Sequence, residues 1–395
     1  MPKRQKVIVI GCGGLGSAAL YWLARQLGDQ VLGLEQFALG HDSGGSQDHS
    51  RIIRLAQHQF AYAALAPDAY QTWHEVEQAS NQQLVFKTGG LVIEDAAERD
   101  PDKVGDRTIK GYIRAFETFG FEYTALDANE LMQRWPQFKL QGHEKALFQA
   151  DSGIVDAARA NATHIALARA HGAQIREHTR VMALHPKGDG VEVVTHDTTL
   201  WADRVVLAGG AWTNNLLAPL GTRVPLTVTQ EQVTYYATPN LADFSPQRFP
   251  VFMWHGRDNF YGFPIYGEVA TKLGQHMGGP PVTAESRNFE PDPIRQARYR
   301  EFLEARLPGF LGPERYTKTC LYTVPPDQDF VIDTLPDHPQ IALTIGAGHA
   351  FKFASLIGRI LADLAIDGQT DYPIEAFAVN RAALTDPDFK TAFHQ

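Results

Sequence analysis

Residues 7–35 constrain the fold of this chain more than any other stretch. Val7, Ile8, Val9 and Ile10 form a short apolar run that reads as a strand, and Gly11, Gly13 and Gly16 follow in the spacing G-x-G-x-x-G. An apolar-rich helix is predicted over about 15–27, with Gly28 as its C-cap. A second strand over 31–34 ends at Glu35. The glycines suit a tight turn and a close approach to a pyrophosphate, the helix N-terminus faces the phosphates, and the acid is spaced for a ribose hydroxyl. Together these features specify a dinucleotide site without deciding between NAD and FAD.

Lys3, Arg4 and Lys6 precede an uncharged run over 7–24, an arrangement that imitates a secretion signal or a short membrane span. A strand–turn–helix accounts for the glycine spacing and for Glu35, whereas a leader leaves both as coincidence. The run is therefore read as cytosolic, with no membrane partner. Only two cysteines occur, Cys12 and Cys320, so no disulfide framework arises and a reducing, cytoplasmic setting is expected. A formal charge of -9 argues against a nucleic-acid partner, since phosphate backbones are held by clustered Lys and Arg. The fifteen histidines form no H-E-x-x-H pattern and the cysteines no C-x-x-C pair, so no metal site is expected. No G-x-S-x-G nucleophile elbow is present.

Further along, helical patterns are predicted near 62–77 and 156–171, the second with Asp156 as N-cap. Polarity rises over 94–144, as in an inserted region, and 225–322 alternate in the manner of strands. The chain closes with strands near 330–333 and 341–345, a glycine turn, and a helix carrying Phe353, Leu356, Ile357, Ile360, Leu361 and Leu364 on one face. The order predicts an α/β protein: a nucleotide-binding domain assembled from 1–88, 150–222 and 323–395, with a β-rich substrate domain from 89–149 and 223–322.

Five further segments carry a resemblance. At Arg51-Ile52-Ile53-Arg54, Tyr261-Gly262-Phe263-Pro264, Lys272-Leu273-Gly274 with His276, Cys320, and Gly348-His349-Ala350-Phe351-Lys352-Phe353, the chain resembles the monomeric sarcosine oxidase family, which includes N-methyltryptophan and pipecolate oxidases. The resemblance spans nearly the whole chain. It implies a glutathione-reductase-like FAD-binding Rossmann domain with an inserted mixed β-sheet domain. It also implies a monomeric FAD enzyme that oxidises the C–N bond of a secondary or N-methylated amino acid, with O2 reduced to H2O2.

By the same resemblance, Cys320 is joined to the flavin through a thioether, although a lone cysteine in a strand is most often a small buried hydrophobe. Cys12, in the phosphate turn, reads as a compact filler. Arg54 and Lys352 match the family's carboxylate clamp, a role suited to a guanidinium fork with a second cation, while short basic pairs elsewhere are usually surface charges. Arg51 lies near the flavin ring. Lys272 matches a lysine that contacts flavin N5 through water and promotes reaction with oxygen, since a fixed positive charge stabilises developing superoxide; read alone it would be a solvated edge lysine. Tyr261 and His276 match cavity-lining positions, equally readable as a packed strand tyrosine and a core histidine. His349, Gly346 and Gly348 form a turn at the mouth of the last helix, where the helix N-terminus suits negative charge on a reduced flavin. Ser50 and Val181 complete the expected cofactor contacts.

Two positions depart from the family. Gln47 stands where a histidine is common, within Ser46-Gln47-Asp48-His49, and Ala350 replaces a glycine. Both bear on substrate choice and flavin tuning, with Gln47 among the expected substrate contacts. Alternatives are a flavin dehydrogenase that passes electrons to a quinone or carrier protein, an oxidase for pipecolate, N-methyltryptophan or glycated amino acids, an NAD enzyme, and a non-catalytic nucleotide binder.

Overall fold

The computed structural model describes residues 4–98 and 107–389. Lys3 and the stretch 99–106 of the expected insertion lie outside the described residues. The opening strand Gln5–Ile10 lies inside an eight-stranded sheet, parallel to Val31–Leu34 on one side and to Thr199–Leu207 on the other. Its apolar run has no alternation because both faces of a parallel strand are covered. Helix Gly14–Leu27 packs against helices Ala157–Ala170 and Ala354–Asp367. Contact with the last helix is so close that a Cβ on Gly358 would stand 2.5 Å from Ala18. Strand His338–Ile345 joins on the far side of Thr199–Leu207, with Val331–Leu335 antiparallel to it. The predicted face of the last helix is buried throughout.

A nine-stranded sheet holds the second core. Its longest pairing is antiparallel, between Thr227–Tyr236 and Glu314–Val324, and places Cys320 opposite Glu231. Thr271–Gln275, Asn259–Phe263 and Val251–His255 follow in order, and Gly90–Glu94 then pairs in parallel with Val251–His255. A small third sheet of Ser50–Ile53, Gly153–Asp156 and Val85–Lys87 carries Arg51. Strands of the first sheet come from 5–34, 174–207 and 331–345, and those of the second from 90–149 and 227–324.

Three local readings agree closely with the structure. The first helix ends at Gly28, whose φ of 58° is the left-handed value a C-cap needs. Asp156 caps Ala157–Ala170 by accepting from Arg159 N. The helix predicted near 62–77 runs slightly longer, Phe60–Ser80. The expectation of strands throughout 225–322 is corrected, because helix Pro293–Arg306 interrupts them. Asp292 caps it through Ile294 N and Arg295 N, and proline occupies its first turn, where a missing N–H costs nothing. Helices Ile109–Phe119 and Ala128–Arg134 lie in the polar insertion, the second opened by a capping box of Asp127 and Glu130.

Candidate active site

The fingerprint glycines do three different jobs. Gly11, at φ 87°, turns the chain so tightly that a Cβ would stand 2.5 Å from Ala208 O. Gly13 begins the helix with no side chain capping it, leaving first-turn N–H groups toward the cavity. Gly16 faces the strand, where a Cβ would lie 1.8 Å from Gly11 O, and is a packing residue rather than a cavity residue. Glu35 is buried, and its carboxylate accepts from Cys12 N at 2.9 Å and Phe37 N at 3.0 Å. Burial pushes this acid up, but His41 and the two backbone donors hold it below the usual carboxylate value. Cys12 is packed in the first core, as expected of a filler.

A cavity of about 450 Å³ gathers the other expected site residues. Gly11, Gly13, Glu35, Gln47, Ser50, Arg51, Arg54, Val181, Tyr261, Lys272, His276, Cys320, Gly346, Gly348, His349 and Lys352 all line it. They come from all three sheets, and none but the fingerprint residues are close in sequence to the fingerprint.

Lys272, on Thr271–Gln275, is almost fully buried. Its Nζ donates to Ser50 O at 3.0 Å and Ser50 Oγ at 3.1 Å, and pairs with Asp48 Oδ2 at 2.7 Å. Both Ser50 oxygens take hydrogen bonds from the ammonium, whereas Asp48 Oδ2, although in ion-pair range, accepts none among the described residues. Burial is the main cause lowering its pKa, to about 8, with Asp48 opposing and Arg51 assisting. Asp48 feels the converse: burial raises it, but Lys272 and Arg51 hold it well below the carboxylate range. Tyr235 Oη donates to Asp48 Oδ1 at 2.6 Å, and Lys318 lies 3.5 Å from the same oxygen. Asp48 sits at φ 90°, a backbone region that costs a non-glycine residue energy. The sequence reading missed Asp48; its only signal is its place two residues before Ser50 in the departing string 46–49.

Arg51 is fixed by backbone carbonyls, donating to Ser50 O at 2.9 Å, Gln47 O at 2.6 Å and Gly45 O at 3.1 Å. Gln47 reaches across to Thr319 O at 2.9 Å, next to Cys320. Cys320 is a free thiol, raised by burial to about 11 while Arg51, Arg287 and Lys272 pull it down. The turn before the last helix has Ala347 at φ 46° and Gly348 at φ 76°, and a Cβ on Gly348 would stand 2.2 Å from the Tyr322 ring. Tyr261 lies over Gly274, whose missing Cβ leaves room for the phenol oxygen.

Arg54 donates to Ala56 O and to Tyr112 Oη, and Tyr112 Oη lies 3.3 Å from His255 Nε2. Lys352 Nζ donates to His349 O at 2.5 Å. Burial, then Arg54 and Arg107, press the Lys352 pKa far below that of an ordinary lysine. His276 and His349, 6.2 Å apart between ring centroids, are likewise held neutral chiefly by burial and by neighbouring cations. Tyr112, His58 and Arg107 also line the cavity and are absent from the sequence reading. Away from the cavity, Asp95, His143 and Glu144 converge, and Arg306 answers their charge at 3.1 Å from Asp95 and 3.6 Å from Glu144.

These residues fit FAD. The fingerprint turn is a cradle that side chains would fill: a Cβ on Gly13 would lie 3.0 Å from Ser46 Oγ, and one on Gly14 2.9 Å from Phe351. Gln47 Oε1 and Thr344 Oγ1 are buried cavity atoms with no hydrogen-bond partner among the described residues, as expected where a polar ligand supplies one. Comparison with known proteins agrees. A family model described as FAD dependent oxidoreductase matches residues 6–364. The chain is 31% identical over 390 residues to monomeric sarcosine oxidase of Bacillus sp. (strain B-0618), covering 98% of both chains. It is 30% identical to N-methyl-L-tryptophan oxidase of Escherichia coli O139:H28 (strain E24377A / ETEC), covering 96% of this chain and 99% of that one. Among solved structures, NikD, described as an unusual amino acid oxidase essential for nikkomycin biosynthesis, superposes with a TM-score of 0.83 at 29% identity, covering 95% of this chain and 97% of that one.

Proposed function

Because the chain belongs to the FAD-dependent oxidoreductase family, among the relatives of monomeric sarcosine oxidase, we propose that it oxidises the C–N bond of a small secondary or N-methylated amino acid to an imine, with O2 reduced to H2O2. The observation that carries this reading is the pair of cations Arg54 and Lys352, in the same cavity as the dinucleotide turn and with no carboxylate partner among the described residues. When bound, FAD supplies the redox chemistry, accepting two electrons from the substrate and passing them to the acceptor. Arg54 grips the substrate carboxylate as a planar fork, and Lys352, its pKa lowered by burial and two neighbouring cations, adds a second charge once a bound carboxylate offsets that cost. His276 and Tyr261 border the amine, and the neutral state of His276 keeps it available as a hydrogen-bond acceptor. Lys272 and Arg51 supply fixed positive charge beside the flavin ring, and Cys320 tethers the cofactor by a thioether.

In this reading 1–88, 150–222 and 323–395 form the cofactor-binding unit, and 89–149 with 223–322 form the substrate unit. The enzyme acts as a monomer, and a reducing cytoplasm suits a chain whose two cysteines form no disulfide. No described helix is long and apolar enough to cross a membrane.

A peroxide assay on sarcosine, N-methyltryptophan, pipecolate, proline and glycated amino acids tests the proposal. Arg54→Ala is expected to raise KM for the best of these at least about tenfold, the worth of one charge-assisted hydrogen bond. An unchanged KM removes Arg54 from the clamp. A second reading is a dehydrogenase serving a quinone or carrier protein: Lys272 donates to both Ser50 oxygens and pairs with Asp48 at 2.7 Å, contacts that compete with a bridging water for its N–H groups. Amine oxidation without peroxide release, sustained by an artificial electron acceptor, would select that reading.

A further inference from the structure

We propose that the substrate carries a second anionic group besides its α-carboxylate, and that Arg107 binds it: the substrate class is a dicarboxylic secondary or N-methylated amino acid. The proposal rests on the amine-oxidation reading and narrows it.

A single carboxylate is fully served by a guanidinium fork and one further cation. Of the cations that line this cavity, Arg51, Lys272 and Lys318 share Asp48, and Arg180 is exposed; Arg54, Lys352 and Arg107 have no carboxylate within ion-pair distance among the described residues. Arg107 makes one hydrogen bond among those residues, from Nη2 to the neutral amide oxygen of Gln328 at 3.2 Å. A guanidinium has five N–H groups, so its charge and most of its donors have no partner among the described residues.

Among the described residues, the nearby acids Asp329 and Asp327 are already engaged. Asp329 accepts from Tyr62 Oη at 2.9 Å and Gln59 Nε2 at 3.2 Å, and burial together with Asp327 raises it above the usual carboxylate value. Asp327 takes Arg381 in a fork at 2.6 and 2.9 Å. The cavity histidines add no anion, and His58 is pushed down to about 2, first by burial and then by Arg107 and Arg54. Giving Lys352 to the flavin as well as to the substrate still leaves Arg107 without a carboxylate among the described residues. Clustered like charges in a buried site are costly unless a ligand compensates them.

The fold also invests in placing this arginine. Gln328 adopts φ 64°, a strained value for a non-glycine residue. It is anchored there by its own N–H to Pro325 O at 2.9 Å and by His349 Nε2 against its carbonyl at 3.1 Å. A neutral acceptor orients the guanidinium without neutralising it.

The test separates this proposal from the reading beneath it by measuring binding without turnover. Sulfur analogues cannot form an imine: (methylthio)acetate carries one carboxylate and thiodiacetate two. Titration into the holoenzyme, read from the flavin spectrum and by calorimetry, is expected to show thiodiacetate binding at least tenfold tighter. Arg107→Gln is expected to weaken thiodiacetate about 10- to 100-fold and (methylthio)acetate less than about threefold; Arg107→Lys should restore part of the difference. In turnover, N-methylaspartate should exceed sarcosine in kcat/KM, and Arg107→Gln should reverse that order. Equal affinity of the wild type for both analogues, or equal losses for both in the variant, overturns the proposal. If the analogues discriminate as expected but no secondary amine is oxidised, Arg107 keeps its role and the amine-oxidation reading falls.

Discussion

At Lys272, burial and an ion pair act in opposite directions. Burial lowers its pKa to about 8, and Asp48, 2.7 Å away, resists that fall. The ammonium is therefore present below about pH 8 and lost as pH rises through it. If its charge promotes reaction with oxygen, reoxidation of photoreduced enzyme should slow as pH rises through that value. Lys272→Met should slow reoxidation about 100-fold while changing substrate reduction far less, and should abolish the pH step. Stopped-flow traces in which both half-reactions slow alike would reject the role. The cation itself is legible in the sequence, because its neighbours Leu273, Gly274 and His276 carry the resemblance. Its partner is not: Asp48 meets Lys272 only through an unusual φ and across a span of more than two hundred residues. Arg107 is hidden similarly, lying outside every motif.

Elements were readable where one face is apolar and obscure where charge is buried. The last helix shows its period because its large inner positions are Leu and Ile, with Phe353 in the turn that leads into it. Helix Pro293–Arg306 does not, because two of its four buried residues are Arg295, paired with Glu231 at 2.8 Å, and Arg306. Only the Asp292-Pro293 start signal was available. The turn between His338–Ile345 and the last helix gives a prediction at this scale. Gly348→Ala sets a Cβ against the Tyr322 ring in addition to a left-handed backbone, whereas Gly368→Ala, at φ 72°, meets nothing within 4 Å. The first should cost about 2–4 kcal/mol and the second about 1 kcal/mol, measured by denaturant unfolding of the two purified variants. Equal costs would mean that Tyr322 yields freely and the turn is not a rigid wall.

At the scale of the molecule, the cavity draws on every sheet, so a ligand filling it should stabilise the whole. Cys320→Ala leaves FAD reversibly bound if the tether exists. The stripped variant should then regain about 2.7 kcal/mol at FAD a hundred times its Kd, seen as a melting temperature that climbs with FAD concentration. The wild type should not respond, and its flavin should stay with the protein after acid precipitation. A wild type that releases its flavin and responds like the variant would exclude the tether. The fingerprint alone could not have supplied this picture, since it fixes a dinucleotide and leaves the reacting half of the site to segments that sequence distance conceals.

The placement of Gln5–Ile10 between Val31–Leu34 and Thr199–Leu207 also sets an order of events during synthesis. Of the strands in its sheet it is made first. One neighbour is available soon afterwards, but the other emerges only after residue 207, and His338–Ile345 later still. Non-local pairings of this span carry the loop-closure cost that slows folding. The phosphate turn must therefore wait, half-walled, while most of the chain is translated, and Gly11 meets Ala208 only when that third strand arrives.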